Sequence, residues 1–221
     1  MLLAIDTSTL YTGLALYDGA EVLGECAWRS GRQHTTQLLP QLDLLMRHSG
    51  VERDAIDALG VALGPGSWSG LRVGLSLAKA LVAASGAALI GIGTLDVLAA
   101  GHPQSGMPIY PLVQLGRERV ASARFSYAEA LERHDTDRNL SVAELCATID
   151  GPALFCGEIV EATRKTIQQF LGERAYFPSP AANLRRPALL AELAWQRLSA
   201  GERANPATLE PIYLGEPVKS M

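Results

Sequence analysis

A glycine-rich segment between an apolar run and a helical pattern restricts the fold of this chain more than any other feature. The segment reads GPGSWSGLRVG and covers residues 64–74. The apolar run before it, residues 56–63, is typical of a buried strand, and residues 69–85 repeat their apolar positions as a helix does. A glycine loop between a strand and a helix start is typical of α/β proteins that bind phosphate on backbone N–H groups. The segment therefore predicts an α/β fold and a loop of the phosphate-binding type.

The loop nevertheless departs from a P-loop. It lacks the terminal Gly-Lys-Ser/Thr of that motif, Pro65 removes one backbone donor, and Trp68 is large for a loop that surrounds a phosphate. Lys79 lies three turns into the following helix, about 15 Å along its axis, which is too far to reach a phosphate in the loop. The loop therefore resembles a phosphate loop without matching the P-loop motif.

The order of patterns around this loop predicts the fold class. Thr35 or Thr36 caps the first helix, Gly50 ends it, and Pro40 near its first turn predicts a late start or a kink. The order strand–strand–strand–helix–strand–helix–strand describes half of a ribonuclease-H-like fold of the actin-like and sugar-kinase-like class. The predicted strands are residues 2–5, 12–17, 22–28, 56–63 and 87–92, with helices at about 35–50 and 69–85.

A change of composition at GHPQSGMP, residues 101–108, predicts a boundary between two lobes. We place the ribonuclease-H-like lobe at residues 1–104 and a smaller, degenerate second lobe at residues 105–221. We expect the C-terminal segment to return to the first lobe. Predicted elements beyond the boundary are strands at 109–113, 120–127 and 153–156, and helices at 159–170 and 187–200.

Charge and composition exclude several classes of protein. The 221 residues carry a net charge of −4, so no strong basic field is present for binding nucleic acid alone. Three widely spaced cysteines predict neither a disulfide framework nor a zinc site. The N-terminus has no signal-peptide pattern, and the apolar stretch 71–92 is too polar to span a membrane. We expect a cytoplasmic protein with no membrane contact.

The turn after the first strand allows two interpretations. It consists of Asp6, Thr7, Ser8 and Thr9. A carboxylate and hydroxyls at a strand end are suited to a metal-bound phosphate. The same residues also suit a polar hairpin turn in which the hydroxyls bond to the backbone.

Two strips on the predicted helices likewise allow two interpretations. One is an apolar ridge on the first helix, and the other combines small residues with neighbouring leucines on the second. Both strips pack either on the chain's own sheet or against a second chain. The strips consist of Leu38, Leu42 and Leu45 on the first helix and of Gly70, Leu71, Gly74, Leu75 and Ala78 on the second, and the pattern alone leaves both interpretations open.

Catalytic motifs are missing from the sequence. None of the four histidines has another histidine three or four residues away, which argues against a metal site built from them. No Gly-x-Ser-x-Gly, His-Glu-x-x-His or Gly-x-Gly-x-x-Gly pattern occurs. Two enzymatic alternatives stay open, an actin-like ATP-dependent phosphotransferase and, with less support, a peptidase.

The sequence resembles the TsaB family, whose members are non-catalytic paralogues in bacterial tRNA threonylcarbamoyladenosine synthesis. The resemblance is close over residues 1–100 and returns at 210–214. It is carried by the segments LLAIDTSTLYTGLALYDG, RQHTTQLLPQLDLLMRHSGVERDAIDALGVALGPGSWSGLRVGLSLAKAL, IGIGTLDVLAA and LEPIYL. The string GPGS-x-[ST]-G-[LV]-R-[IV]-G is the most specific of these motifs.

The resemblance implies a fold, a role and partners. It implies an actin-like fold without catalysis, in a subunit that scaffolds and activates the catalytic paralogue TsaD. The complex transfers threonylcarbamoyl to adenosine 37 of tRNAs that read ANN codons, so this chain contacts tRNA only through the complex. The resemblance also implies that the first two helices pair with those of TsaD, so we predict a partner interface at Leu38, Leu42, Leu45, Gly70, Leu71, Gly74, Leu75 and Ala78. A TsaE-type ATPase acts on that complex, and the chain alone is expected to form a homodimer through the same two helices. No cofactor is assigned, and weak nucleotide binding at the interface with partners stays open.

The resemblance also identifies lost chemistry. Thr94 and Leu98 stand where TsaD has two metal-binding histidines, so no metal is expected. Gln114 stands where family members usually have an aspartate, in the stretch Val113 to Arg117. The residues interpreted as a vestigial phosphate loop are Asp6, Thr7, Ser8, Thr9, Gly64, Gly66 and Ser67.

Overall fold

The chain folds into two units in a computed structural model that describes residues 1–31, 33–103, 105–116 and 118–214. Unit 1 comprises Met1–Val97 and Arg185–Ile212, and unit 2 comprises Leu98–Leu184 and the chain from Tyr213. The structure thus divides the chain at 97/98, whereas the sequence placed the boundary at 104/105. Residue 104, the last of the predicted first lobe, and Arg117, in the predicted second lobe, lie outside the described residues.

Twelve strands and six α-helices are present in the part of the chain that the structure describes. The strands are β1 (Leu2–Asp6), β2 (Tyr11–Tyr17), β3 (Val22–Arg29), β4 (Ala58–Gly64), β5 (Ala88–Gly93), β6 (Ile109–Gln114), β7 (Arg119–Ser122), β8 (Phe125–Tyr127), β9 (Leu131–Arg133), β10 (Arg138–Ser141), β11 (Ala153–Gly157) and β12 (Ala175–Tyr176). The helices are α1 (His34–Ser49), α2 (Trp68–Ser85), α3 (Thr94–Ala100), α4 (Val142–Cys146), α5 (Glu161–Leu171) and α6 (Pro187–Ser199).

Unit 1 contains a five-stranded sheet in the order β3-β2-β1-β4-β5. The first three strands are antiparallel, while β4 is parallel to β1 and β5 is parallel to β4. The predicted order of three strands, helix, strand, helix and strand is confirmed. All five residues of β1 are buried, because this central strand is covered on both faces.

Helices cover both faces of the unit 1 sheet. One core cluster joins α1 and α2 to side chains such as Ile5 and Val61, which lie side by side on β1 and β4. The second cluster joins α6 to the opposite face, where Leu190 and Ala194 pack on Leu2 and Ala4. The helix α6 therefore belongs to unit 1 although unit 2 precedes it in the chain.

The ends of α1 and α2 follow local chemistry. Ser67 caps α2 by accepting a hydrogen bond from the Gly70 N–H group, and Gly86 ends it with a positive φ of 74°. Gly50 ends α1 in the same left-handed conformation, as predicted. The predicted start of α1 was wrong, because the residue before the helix is Gln33, with no side-chain cap, and Pro40 lies inside the helix.

Unit 2 contains a seven-stranded sheet with the path β10-β7-β6-β11-β12, and β8 and β9 extend from β6. The strand predicted over residues 120–127 is divided into β7 and β8. The sequence did not predict β9, β10 or α4, which have three to five residues each. Ser141 and Glu144 nevertheless form a capping box at the start of α4.

Candidate functional site

Several hydrogen bonds form within the turn between β1 and β2. Asp6 ends β1, and its Oδ1 atom accepts hydrogen bonds from the Ser8 N–H group (2.9 Å) and the Ser8 hydroxyl (2.6 Å). The Tyr11 N–H group donates to Thr9 Oγ1 at 3.3 Å. Asp6, Thr7, Ser8 and Thr9 are all buried. These contacts are those of a polar turn in which carboxylate and hydroxyls bond to neighbouring groups.

The glycine loop before α2 packs directly on this turn. The Ser67 N–H group donates to the Ser8 carbonyl oxygen at 2.7 Å, and the Thr7 hydroxyl donates to the Gly70 carbonyl oxygen at 2.7 Å. A Cβ atom on Gly66 would overlap the Ser8 carbonyl oxygen, and one on Gly70 would overlap the Thr7 carbonyl oxygen. Both contacts fall well inside 3.0 Å, a separation that real Cβ atoms do not reach. The glycines thus allow two backbones to approach each other.

A buried arginine occupies the other side of the turn. Arg185 precedes α6, and its Nη1 atom donates to the hydroxyls of Ser8 and Thr9, each at 2.9 Å. Its Nε atom lies 3.3 Å from Asp6 Oδ2, an ion-pair distance. Both charged side chains are almost fully buried. The carboxylate and hydroxyls that the sequence suggested for a metal-bound phosphate therefore contact a guanidinium group of the same chain.

The predicted partner interface is buried inside unit 1, so its assignment to an exposed surface needs correction. None of the six apolar side chains in the set is more than 9% exposed in the isolated chain. The physical reason is that α1 and α2 turn these strips toward their own sheet and the β1–β2 turn. The buried set is Leu38, Leu42, Leu45, Gly70, Leu71, Gly74, Leu75 and Ala78.

The outward faces of α1 and α2 carry other residues. On α1, Leu39 is 55% exposed and Leu44 is also exposed. At the start of α2, the exposed ring of Trp68 lies against Arg72, whose Cζ atom is 4.4 Å from the ring centroid. The rest of the exposed face of α2 has small side chains, which leave its backbone accessible to a facing helix. They are Ser69, Ser76, Ala80, Ala83, Ala84 and Ser85.

A buried histidine that the sequence did not single out lies below the glycine loop. His34 begins α1, and its Nδ1 atom is 2.7 Å from Thr12 Oγ1 and 3.1 Å from Ser30 Oγ. Burial lowers the pKa of His34 below its ordinary value of 6.5, and the nearby Asp6 carboxylate opposes this effect. The neutral imidazole therefore forms part of the hydrogen-bonded interior of unit 1.

Thr94 and Leu98, which stand where TsaD is expected to have two metal-binding histidines, have no metal-binding side chain of that type. Thr94 is fully buried at the start of α3, and Leu98 is a buried apolar residue. Among the residues that the structure describes, no group of three histidine, cysteine, aspartate or glutamate side chains could hold a metal ion. The described helices also include none with the length and apolar character needed to cross a membrane.

Gln114 lies at the end of β6 in unit 2 and uses both its backbone and its amide. Its N–H group donates to Glu158 Oε2 at 3.2 Å, and its Nε2 atom donates to Thr163 Oγ1 at 2.9 Å. An aspartate here would place a second carboxylate near Glu158 and would lack the amide donor. The local contacts therefore favour the glutamine that this sequence has in place of the expected aspartate.

A hydroxyl–imidazole pair on unit 2 bears on the peptidase alternative. Ser126 Oγ lies 2.6 Å from His134 Nε2, across β8 and the residue after β9. His134 is exposed, and within the described ranges no carboxylate is hydrogen-bonded to its ring. Nucleophilic catalysis requires a base oriented by a third group and donors for the developing oxyanion. This pair alone does not form such a site.

Comparison with known proteins decides the family. The family model of TsaD, described as tRNA N6-adenosine threonylcarbamoyltransferase, matches residues 28–219. A Bacillus subtilis protein named tRNA threonylcarbamoyladenosine biosynthesis protein TsaB is 29% identical over 217 residues, which cover 96% of this chain and 93% of that protein. The chain belongs to the TsaD family. The resemblance found in the sequence is confirmed.

Other relatives match a shorter part of the chain. The TsaB of Haemophilus influenzae is 38% identical over 100 residues, covering 44% of this chain and 41% of that protein. A tRNA N6-adenosine threonylcarbamoyltransferase of Burkholderia vietnamiensis is 35% identical over 136 residues, covering 52% of this chain and 38% of that protein. TsaB proteins and transferases of this family thus both have sequence similarity to this chain.

Solved structures agree on the fold. YeaZ from Pseudomonas aeruginosa superposes with a TM-score of 0.80 and 21% identity, covering 96% of this chain and 99% of that one. Component A of the (R)-2-hydroxyglutaryl-CoA dehydratase of Acidaminococcus fermentans gives a TM-score of 0.52 at 11% identity, over 89% of this chain and 97% of that one. The predicted actin-like, sugar-kinase-like α/β class is confirmed.

Proposed function

We propose that the chain takes part in tRNA threonylcarbamoyladenosine biosynthesis as a non-catalytic subunit that scaffolds and activates a TsaD-type paralogue. One observation carries the non-catalytic part of this proposal. The turn and loop that would hold a phosphate in unit 1 are bonded to each other and to Arg185. Thr94 and Leu98, at the positions compared with metal-binding histidines, offer no imidazole. The catalytic groups for transfer to adenosine 37 of tRNAs that read ANN codons are then supplied by the partner.

The proposed contact with the paralogue uses the outward faces of α1 and α2. These faces combine the exposed Leu39 and Leu44 with Trp68, Arg72 and the small residues of α2. Tryptophan and arginine often contribute most to binding at interfaces, and small residues let a facing helix approach closely. This assignment keeps the two helices that the sequence indicated and replaces the buried strip with the exposed one. In the absence of the paralogue, the same faces would join two copies of the chain.

Other members of the system enter the proposal through the complex. The net charge of −4 offers the tRNA little attraction to this chain alone, so we propose that tRNA is bound by the complex. A TsaE-type ATPase would act on that complex. Any nucleotide would bind weakly, at an interface with a partner. A cytoplasmic location agrees with this role.

Reconstitution with purified components tests the proposal. The chain is mixed with a TsaD-type paralogue, a TsaE-type ATPase, threonylcarbamoyl-adenylate and tRNA, and modified adenosine is measured by mass spectrometry. We expect no product from the chain alone and strong dependence of the paralogue on the chain. Full modification in its absence, or product formed by the chain without the paralogue, would contradict the proposed role.

Matched variants test the surface. Leu39→Arg places a charge on α1, whereas Phe170→Arg places one on α5 at a side chain of nearly equal exposure, 53% against 55%. Both variants should fold, because both side chains point largely to solvent. We expect Leu39→Arg to lower the affinity for the paralogue at least tenfold in calorimetry, while Phe170→Arg leaves it unchanged. Equal affinities for the two variants would remove α1 from the interface.

A further inference from the structure

The most unusual polar cluster of unit 1 is the guanidinium group seated in the β1–β2 turn. Arg185 is 7% exposed and Asp6 is fully buried. Burying an arginine and an aspartate removes both charges from water, which costs several kcal/mol per ion in general unless close partners compensate. Nη1 donates to the hydroxyls of Ser8 and Thr9, and Nε lies at an ion-pair distance of 3.3 Å from Asp6 Oδ2. Within the described residues, Asp6 Oδ2 and Arg185 Nη2 form no hydrogen bond. The turn therefore has the features of a binding site for a cation.

The donor geometry favours a guanidinium over other cations. Nη1 donates to two hydroxyls while Nε lies 3.3 Å from the carboxylate, so one planar group contacts both at once. A lysine ammonium is a single compact charge and would reach these groups less well. Asp6 is held in place by two hydrogen bonds from Ser8 to its other oxygen, Oδ1. These bonds orient the carboxylate from within the turn.

We propose that the β1–β2 turn is an intramolecular guanidinium-binding site, with Arg185 as its ligand. Occupation by Arg185 closes to metal-bound phosphate the carboxylate and hydroxyls that otherwise suit it. It also fixes the segment before α6 onto a turn more than 170 positions away in the chain. The inference does not depend on the proposed role in tRNA modification, because it concerns a site inside unit 1.

The experiment removes the guanidinium group of Arg185 by substitution and then supplies a small guanidinium compound in solution. Arg185→Ala is compared by thermal melting with wild type and with Arg186→Ala, in which the neighbouring arginine loses an exposed ion pair to Glu25. Loss of a partner of a buried pair should lower Tm by about 6–20 °C, whereas loss of an exposed pair should lower it by less than about 4 °C. Methylguanidinium chloride at about 10 mM should then raise the Tm of Arg185→Ala but not that of wild type or Arg186→Ala.

Two outcomes of the melting comparison overturn the inference, and a third comes from a phosphate probe. One is an Arg185→Ala variant whose Tm equals that of Arg186→Ala. The other is a Tm of Arg185→Ala that responds equally to sodium chloride and to methylguanidinium chloride. Magnesium pyrophosphate serves as a third probe, and we expect it not to shift the Tm of wild type. A saturable shift of wild type that is absent from Asp6→Asn would show that metal-bound phosphate enters the turn with Arg185 in place.

A milder pair of variants covers the case in which Arg185→Ala does not fold. Thr9→Val removes one of the two acceptors of Nη1, and Arg185→Lys keeps the charge without the fork. If both act on the same contact, the Tm loss of the double variant should be smaller than the sum of the two single losses. Additive losses would mean that Arg185 and Thr9 do not interact, and the guanidinium site would be refuted.

Discussion

Substitution of Gly70 by alanine distinguishes a backbone-packing role of the glycine loop from a phosphate-binding role. A Cβ atom at this position would overlap the carbonyl oxygen of Thr7. That oxygen belongs to the backbone of a fully buried turn, so no side-chain rotation can relieve the overlap. If the glycine instead served to leave room for a phosphate, the added methyl group would enter open space.

The expected change in the unfolding free energy of Gly70→Ala follows from two destabilising effects and one stabilising effect. Overpacking at a tight contact costs about 1–3 kcal/mol of unfolding free energy. Displacing the turn also weakens the hydrogen bond from the Thr7 hydroxyl to the Gly70 carbonyl, worth about 1 kcal/mol. Alanine is the better helix former by about 1 kcal/mol, which offsets the second loss. The net expectation is a destabilisation of about 1–3 kcal/mol, or a Tm lower by about 2–12 °C.

Gly74→Ala supplies the matched comparison in the same helix. Its Cβ atom would overlap Thr7 Oγ1, which is the end of a side chain and can rotate away. That rotation breaks one hydrogen bond, which destabilises the protein by about 1 kcal/mol, and the higher helix propensity of alanine stabilises it by about the same amount. Urea unfolding should therefore place Gly74→Ala near wild type and Gly70→Ala clearly below it. A Gly70→Ala protein at least as stable as wild type would refute the packing role.

Two further predictions concern single polar groups. Burial lowers the pKa of His34 in the folded state, so below pH 6.5 the unfolded chain binds a proton more readily than the folded chain does. The free energy of unfolding of wild type should therefore decrease as pH falls below 6.5, and in His34→Asn this decrease should be smaller. Urea midpoints between pH 5 and 8 check this, with a residual slope from His102, whose pKa burial also lowers. Gln114→Asp should lower the free energy of unfolding by about 1–3 kcal/mol, because Thr163 loses a hydrogen-bond donor and Glu158 gains a neighbouring carboxylate. Gln114→Asn should lower it by less, because it adds no carboxylate. Equal costs for the two variants would exclude the carboxylate repulsion.

Unit 1 could be predicted from the sequence because its elements are long and regular. β1 is a continuous apolar run, and α1 and α2 keep a helical repeat over 16 and 18 residues. In unit 2, β9 and α4 are short, and β9 is largely exposed. Neither element is long enough to show a hydrophobic periodicity from which it could be predicted. The seven residues of α3, which follow β5 directly, were likewise not predicted.

The prediction of the interface failed for a reason of geometry. Periodicity shows that Leu38 and Leu42 share a helix face, but it does not show what that face contacts. A strip of small residues such as Gly70 and Gly74 serves close packing within a chain as well as between chains. Only the structure shows that Thr7 fills the space above them.

Arg185 could not be connected to the site from the sequence. It stands 177 positions from Ser8, and two adjacent arginines before a helix are typical of a solvated surface. One of the two, Arg186, does lie on the surface. The side chains differ in burial because the chain enters α6 against the β1–β2 turn, a tertiary relation that no local pattern encodes.

The arrangement at the turn limits how tightly this chain can bind a nucleotide there. A phosphate that used Asp6, Ser8 and Thr9 through a metal ion would first displace Arg185 and break its buried ion pair. Breaking such pairs costs about 3–5 kcal/mol, so an intrinsic Kd of about 1 μM would become about 0.2–5 mM. Equilibrium dialysis of the isolated chain with magnesium and ATP should find no tighter binding at this turn. A nucleotide held more tightly by an assembled complex would therefore have to contact other atoms, and substituting Asp6 would not weaken it.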